Sequence, residues 1–259
     1  MKRTDCPFKE CRLTKEGNCK GGFYLYRCTN LNCKSEDIYK NAIEVVTNGN
    51  HFSKLEKCGT RTNWKFYKNR ISEVKKAKRE NDNHACGGCR DKKTEAFECR
   101  CAYLCGHKDC EHGTKWGGTN YEILYYQLPV SDKYDGKVDL VIRKVNTKEI
   151  YLTEYKPSRL ASSESLLRMI CEIVSYRQTA DKGCLEFFNG IYEDNNLGIT
   201  VDNIHTAIMF NATTADGVKS PQKDEYGKKD EGIRSLLKKY HITVFELTAD
   251  KDIVCLDEF

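Results

Sequence analysis

The chain has 259 residues, 39% hydrophobic and 31% charged, enough to build a sizeable core, and no apolar run nears the roughly 18 residues of a membrane span. Its net charge of +5 conceals two unlike halves: residues 1–120 carry 25 Lys and Arg against 15 Asp and Glu, residues 121–259 carry 18 against 23. Membrane, secreted and disordered classes are therefore poor readings: no secretory signal is expected, since Met1-Lys2-Arg3-Thr4-Asp5-Cys6 leads into no apolar stretch, and four prolines and 18 glycines do not suit a low-complexity chain.

Twelve of the 15 cysteines fall within residues 1–110. Such crowding without a leader predicts a reducing, cytoplasmic setting and metal ligation rather than disulfides. The first cluster is Cys6 and Cys11, then Gly21-Gly22 and an aromatic stretch, then Cys28 and Cys33, with Cys19 as a further thiol. Two paired turns flanking a hairpin make a tetrahedral thiolate site for Zn²⁺. The Cys-Pro knuckle and the Tyr26-Arg27-Cys28 approach resemble a zinc ribbon, although each knuckle has four intervening residues where ribbons usually have two. Residues 36–47 follow as an amphipathic helix with Ile38, Ala42, Ile43 and Val46 on its stripe.

Residues 65–80 also carry a helical pattern, ending in Lys75, Lys76, Lys78 and Arg79, a basic tract suited to phosphate contact. A denser cluster comes next: Cys86, Cys89, Cys101 and Cys105 as ligands of a second Zn²⁺ site, with Cys99, Cys110, His107, His112, His84 and Cys58 as alternatives. An iron–sulfur cluster is the rival occupant, disfavoured by ligand spacing. The chain thus divides into 1–50, a ribbon-like module and short helix; 51–115, a basic helix and second metal cluster; and 116–259, an α+β or α/β domain.

In that last part Asn120–Val130 reads as a strand buried on both faces, Gly136–Ile142 as a second, and Glu149–Lys156 as a third, stopped by Pro157. Asn146-Thr147-Lys148 turns between the second and third. Ser162 or Ser163 is expected to cap a helix running to about Thr179. Residues 213–232 read as a polar loop, with a strand at 205–210 before it and a helix at 234–240 and a strand at 242–247 after it. Alternation puts Glu154 and Lys156 on one face of their strand, and the hairpin brings Asp139 beside them. A carboxylate in a strand of Val, Leu and Ile is costly to bury without a partner. Two carboxylates and a lysine suit phosphodiester hydrolysis, with Mg²⁺ or Mn²⁺ on Asp139 and Glu154 and the lysine serving water and phosphate.

The run Gly136-Lys137-Val138-Asp139, followed by Glu154-Tyr155-Lys156 with fourteen residues between the acids, resembles the PD-(D/E)XK nuclease superfamily over roughly 116–259. The resemblance implies a restriction-endonuclease-like mixed sheet flanked by helices, catalysis by Asp139, Glu154 and Lys156, and DNA cleavage of a restriction or phage-defence kind. One branch carries Gln-xxx-Tyr on the helix after the lysine; this chain has Glu172 and Tyr176 there, candidate accessory residues. Many members add an acid from an earlier helix, for which Glu73, Glu44 and Glu122 are candidates. DNA is the expected partner and RNA the alternative, with no membrane partner and a homodimer possible in principle. The competing functions are a non-catalytic zinc-finger module binding nucleic acid or protein, and an RNA nuclease or the nuclease subunit of a transposition complex.

Overall fold

The computed structural model describes residues 28, 31, 35–49, 99, 102–103, 116–130, 136–157, 164–179, 201–214 and 216–259. The mixed sheet begins in a hairpin meander. Strand β1 (Tyr121–Pro129) pairs antiparallel with β2 (Lys137–Lys144), and β2 pairs antiparallel with β3 (Ile150–Lys156). Asn146 takes the left-handed conformation (φ 63°) in the β2–β3 turn, where the Thr147 hydroxyl bonds the Lys144 carbonyl at 2.8 Å. Two parallel strands then extend the sheet, β4 (Ile204–Asn211) beside β3 and β5 (Ile242–Leu247) beside β4. A last antiparallel strand, β6 (Ile253–Asp257), gives the order β1-β2-β3-β4-β5-β6. The class is α+β; β6 had no counterpart among the expected elements.

The helices among the described residues are α1 (Glu36–Asn48), α2 (Leu166–Thr179), α3 (Pro221–Gly227) and α4 (Glu231–Lys239). Helix α2 lies across β2, β3 and β4, α4 packs on β5, and α1 packs on α4. Their apolar stripes share one buried cluster with Leu152, Ile208, Phe210 and Val244 of the sheet. The opposite face forms a second cluster, in which Tyr151, Tyr155, Met209 and Phe245 meet Cys99, Ala102 and Trp116. Cys28 and Leu31 lie in the helix-side cluster, so both cysteine-rich stretches contribute described residues to the core of the sheet. None of the described helices is long and apolar enough to cross a membrane.

Four local expectations need correction. The stripe of α1 is Ala42, Ile43 and Val46 with Tyr39, whereas Ile38 is exposed; a helix advances about 100° per residue, and Ile38 falls near 90° from the centre of that stripe. Strand β1 is an edge strand with half-buried Glu122, Ile123, Tyr126 and Gln127, and its register shifts between Ile123 and Tyr125, which breaks simple alternation. Ser165, rather than Ser162 or Ser163, caps α2: its hydroxyl accepts the Arg168 N–H at 3.2 Å. Residues 213–232 are not a loop throughout. Thr213 bridges Lys219, and Ser220 caps α3 with Pro221 in its first turn. The Ser-Pro pair is a helix-start signal within a segment whose composition otherwise reads as loop.

Candidate functional site

Asp139 comes from the start of β2, and Glu154 and Lys156 from the end of β3. The pairing Val141↔Leu152 and Leu140↔Thr153 carries one step further to Asp139 abreast of Glu154. On the other side, Tyr126↔Leu140 and Leu128↔Val138 bracket Gln127 opposite Asp139. The row Gln127, Asp139, Glu154 therefore runs across three strands, on the face covered by α2. Asp139, Glu154 and Lys156 are 2%, 1% and 4% exposed, so their charges must be answered from within the protein.

The carboxylate of Asp139 accepts the Gln127 side-chain amide at 2.8 Å on Oδ1 and the Tyr155 backbone N–H at 3.0 Å on Oδ2. The second bond replaces a strand-to-strand bond where the β2–β3 ladder ends after Leu140↔Thr153. Gln127 adopts φ 48°, an uncommon left-handed backbone for a residue that is not glycine. That conformation accompanies the delivery of its amide to Asp139.

Lys156 Nζ lies 2.6 Å from Glu154 Oε1, 3.0 Å from Glu164 Oε2 and 4.0 Å from Glu172 Oε2. Glu172 also accepts the Tyr176 hydroxyl at 2.7 Å on Oε1. The Tyr176 ring rests on Gly136: a Cβ at that position would come within 2.7 Å of it. Glycine before β2 thus leaves room for the tyrosine that fixes Glu172. Three carboxyl groups, of Glu154, Glu164 and Glu172, thus face Lys156, and Arg168 pairs with Glu164 as well.

Helix α2 is seated by neighbours that satisfy its first backbone donors. Leu166 N–H donates to Glu225 Oε2 at 3.0 Å, Leu167 N–H to the Tyr39 hydroxyl at 3.4 Å, and Arg168 N–H to Ser165. Tyr39 in turn donates to Glu225 Oε1. Burial pushes the Glu225 carboxyl above its ordinary range despite these donors, and burial also raises the Tyr39 hydroxyl. Farther along α2, burial drives the Cys171 thiol upward, with Cys28 a smaller contributor.

Asp139, Glu154, Lys156, Glu172 and Tyr176 are thus brought together. Glu122 is not among them: it pairs with Arg143 at the other end of β1. Glu44 is exposed on α1, beside Lys40 and the start of α4. Glu73, the basic tract Lys75, Lys76, Lys78 and Arg79, and the proposed zinc ligands apart from Cys28 and Cys99 lie outside the described residues. Cys28 and Cys99 are both buried. Gln127 and Glu164 were missed. Hairpin counting places Gln127 opposite Asp139 and was available in the sequence; no local signal marked Glu164.

Among the described residues, no three His, Cys, Asp or Glu side chains form a group that by itself holds a metal ion. A magnesium site needs only one or two carboxylates, with water and phosphate oxygens completing the shell. The donors here are all oxygen, and Glu172 Oε2 is buried with no hydrogen-bond donor among the described residues. This donor set fits a hard divalent cation better than a soft one. Compared with protein-family models, curated proteins and solved structures, the chain finds no match in any of the three.

Proposed function

We propose that the chain is a Mg²⁺- or Mn²⁺-dependent nuclease that hydrolyses phosphodiester bonds in DNA, with a PD-(D/E)XK type of site. The observation that carries this reading is the convergence of buried Asp139, Glu154 and Lys156 on one face at the β2–β3 junction. Asp139 and Glu154 would hold the cation, which supplies polarisation of the phosphate and a more acidic water. Gln127 and the Tyr155 N–H fix the plane of the Asp139 carboxylate, so its remaining lone pairs are oriented before any ligand arrives. Lys156 contributes an ammonium beside Glu154, where it stabilises negative charge developing on phosphoryl oxygens and orients the attacking water. Glu172, held by Tyr176, adds a further carboxylate next to that ammonium.

DNA as substrate is supported by the basic first half of the chain, whose Lys and Arg exceed its Asp and Glu by ten. The cysteine clusters of that half are assigned to structural Zn²⁺ that shapes the DNA-gripping surface. The test is supercoiled-plasmid nicking and cleavage in Mg²⁺, with EDTA and Asp139→Ala as controls and zinc content measured on the same preparation. Cleavage by wild type alone supports the reading. A folded, zinc-loaded protein inert on plasmid, linear DNA, single strands and RNA overturns it in favour of a non-catalytic binding module, and cleavage confined to RNA overturns the choice of DNA.

A further inference from the structure

Lys156 is held by two close carboxylates that differ in origin. Glu154 lies two residues away on the same strand, while Glu164 arrives from the segment that leads into α2. If Glu154 serves a divalent cation, its charge is shared with that cation, which also repels the ammonium. Among the described residues, the close carboxylate that remains at ion-pair distance is then Glu164, at 3.0 Å, since Glu172 stands off at 4.0 Å. We propose that Glu164 is the positioning residue for Lys156, keeping its ammonium in place while Glu154 is committed to the cation. This rests on the nuclease reading of the site and adds to it a residue outside the acid–acid–lysine motif.

The surroundings of Glu164 suit that task. Its two oxygens are divided, Oε2 toward Lys156 and Oε1 toward Arg168 Nη1 at 3.2 Å. Its backbone carbonyl accepts the buried Gln222 amide from α3 at 2.7 Å. The adjacent Ser165 hydroxyl donates to the Leu31 carbonyl and accepts from the Arg168 N–H. The residue is therefore fixed through α2, α3 and the amino-terminal turn at Leu31. A chance surface pair has no such framework, and its side chains move freely. Because Gln222 bonds the main chain of Glu164, Glu164→Gln removes the charge while leaving the anchor intact.

The experiment is a double-mutant cycle on steady-state DNA cleavage in Mg²⁺, using wild type, Glu164→Gln, Lys156→Met and the double variant, with Mn²⁺ affinity measured by electron paramagnetic resonance. Glu164→Gln is expected to lower kcat about 10- to 100-fold, as loss of a supporting partner does, with KM and Mn²⁺ affinity within about two-fold of wild type. In the Lys156→Met background the same change should cost less than about two-fold, since Glu164 acts through the lysine. Glu164→Asp, which keeps the charge on a shorter arm, should recover part of the loss. A full additional loss in the Lys156→Met background overturns the proposal, as does an Mn²⁺ affinity that falls as far as in Asp139→Ala. An active wild type whose Glu164→Gln variant keeps kcat within two-fold overturns this role alone; an inert wild type overturns the nuclease reading beneath it. Should Glu164→Gln fail to fold, Glu164→Asp in the same cycle decides: a drop in kcat that vanishes in the Lys156→Met background supports the role, and an unchanged kcat overturns it.

Discussion

The two faces of β3 are equally buried and chemically opposite. Tyr151, Thr153 and Tyr155 face the aromatic layer, whereas Ile150 and Leu152 give way within one residue pair to Glu154 and Lys156 beneath α2. On the aromatic side burial itself is favourable: Phe245 meets the rings of Tyr121 and Tyr151 edge-on at 5.0 and 5.1 Å. On the helix side burial is unfavourable for every charged group, and an ordered set of partners offsets it. Low exposure thus has two meanings along one strand, stability on one face and arranged charge on the other.

That contrast is most directly broken from the aromatic side. Phe245→Ala should lower stability by roughly 3–5 kcal/mol, read by chemical denaturation, with cleavage per folded molecule unchanged. From the charged side, Asp139→Ala should cut cleavage by at least about 100-fold, while circular dichroism shows the fold retained. Gln127→Leu probes the charged face more finely: losing the amide that orients Asp139 should weaken Mn²⁺ binding about 10-fold, and an unchanged affinity would detach Gln127 from the site. Gly136→Ala, which forces a methyl against Tyr176, should cost about 1–3 kcal/mol and disturb the Glu172 contact, visible as a loss of activity beyond the loss of folded protein.

The smallest effect concerns pH and lies at the seat of α2. The Glu225 carboxyl is raised in the folded protein, chiefly by burial, so the folded state holds this proton more tightly than the unfolded chain. Its contribution to stability is complete below the ordinary value of 4.5 and is lost as pH rises through the higher folded value. Stability measured from about pH 4 upward should therefore carry a downward component from this group. Glu225→Gln should remove that component; an identical pH profile in the variant would show that Glu225 is not its source.

Much of the sheet was legible because its signals are local. Pro157 stops β3, the Asn146 turn sets the β2–β3 hairpin, and alternation puts Glu154 with Lys156 and, through the hairpin, with Asp139. Helix α3 was not read, since one Ser-Pro start signal stood within a run of polar residues that otherwise resembles a loop. The early-acid candidates Glu44 and Glu122 satisfied a sequence pattern, yet helix packing and the Arg143 pair direct them elsewhere.

What the sequence alone determined is the period-two placement of Asp139, Glu154 and Lys156, because a strand fixes the facing of its residues over a few positions. Which groups from other elements answer their charges was settled by long-range folding. Glu164 reaches the lysine from just ahead of α2, and Glu172 through the seating of α2 across three strands. Both depend on long-range packing, in which apolar stripes far from the charges choose the position of the helix. No local propensity encodes that choice, so the partners that reach a buried lysine from other elements become visible only once the core has closed around it.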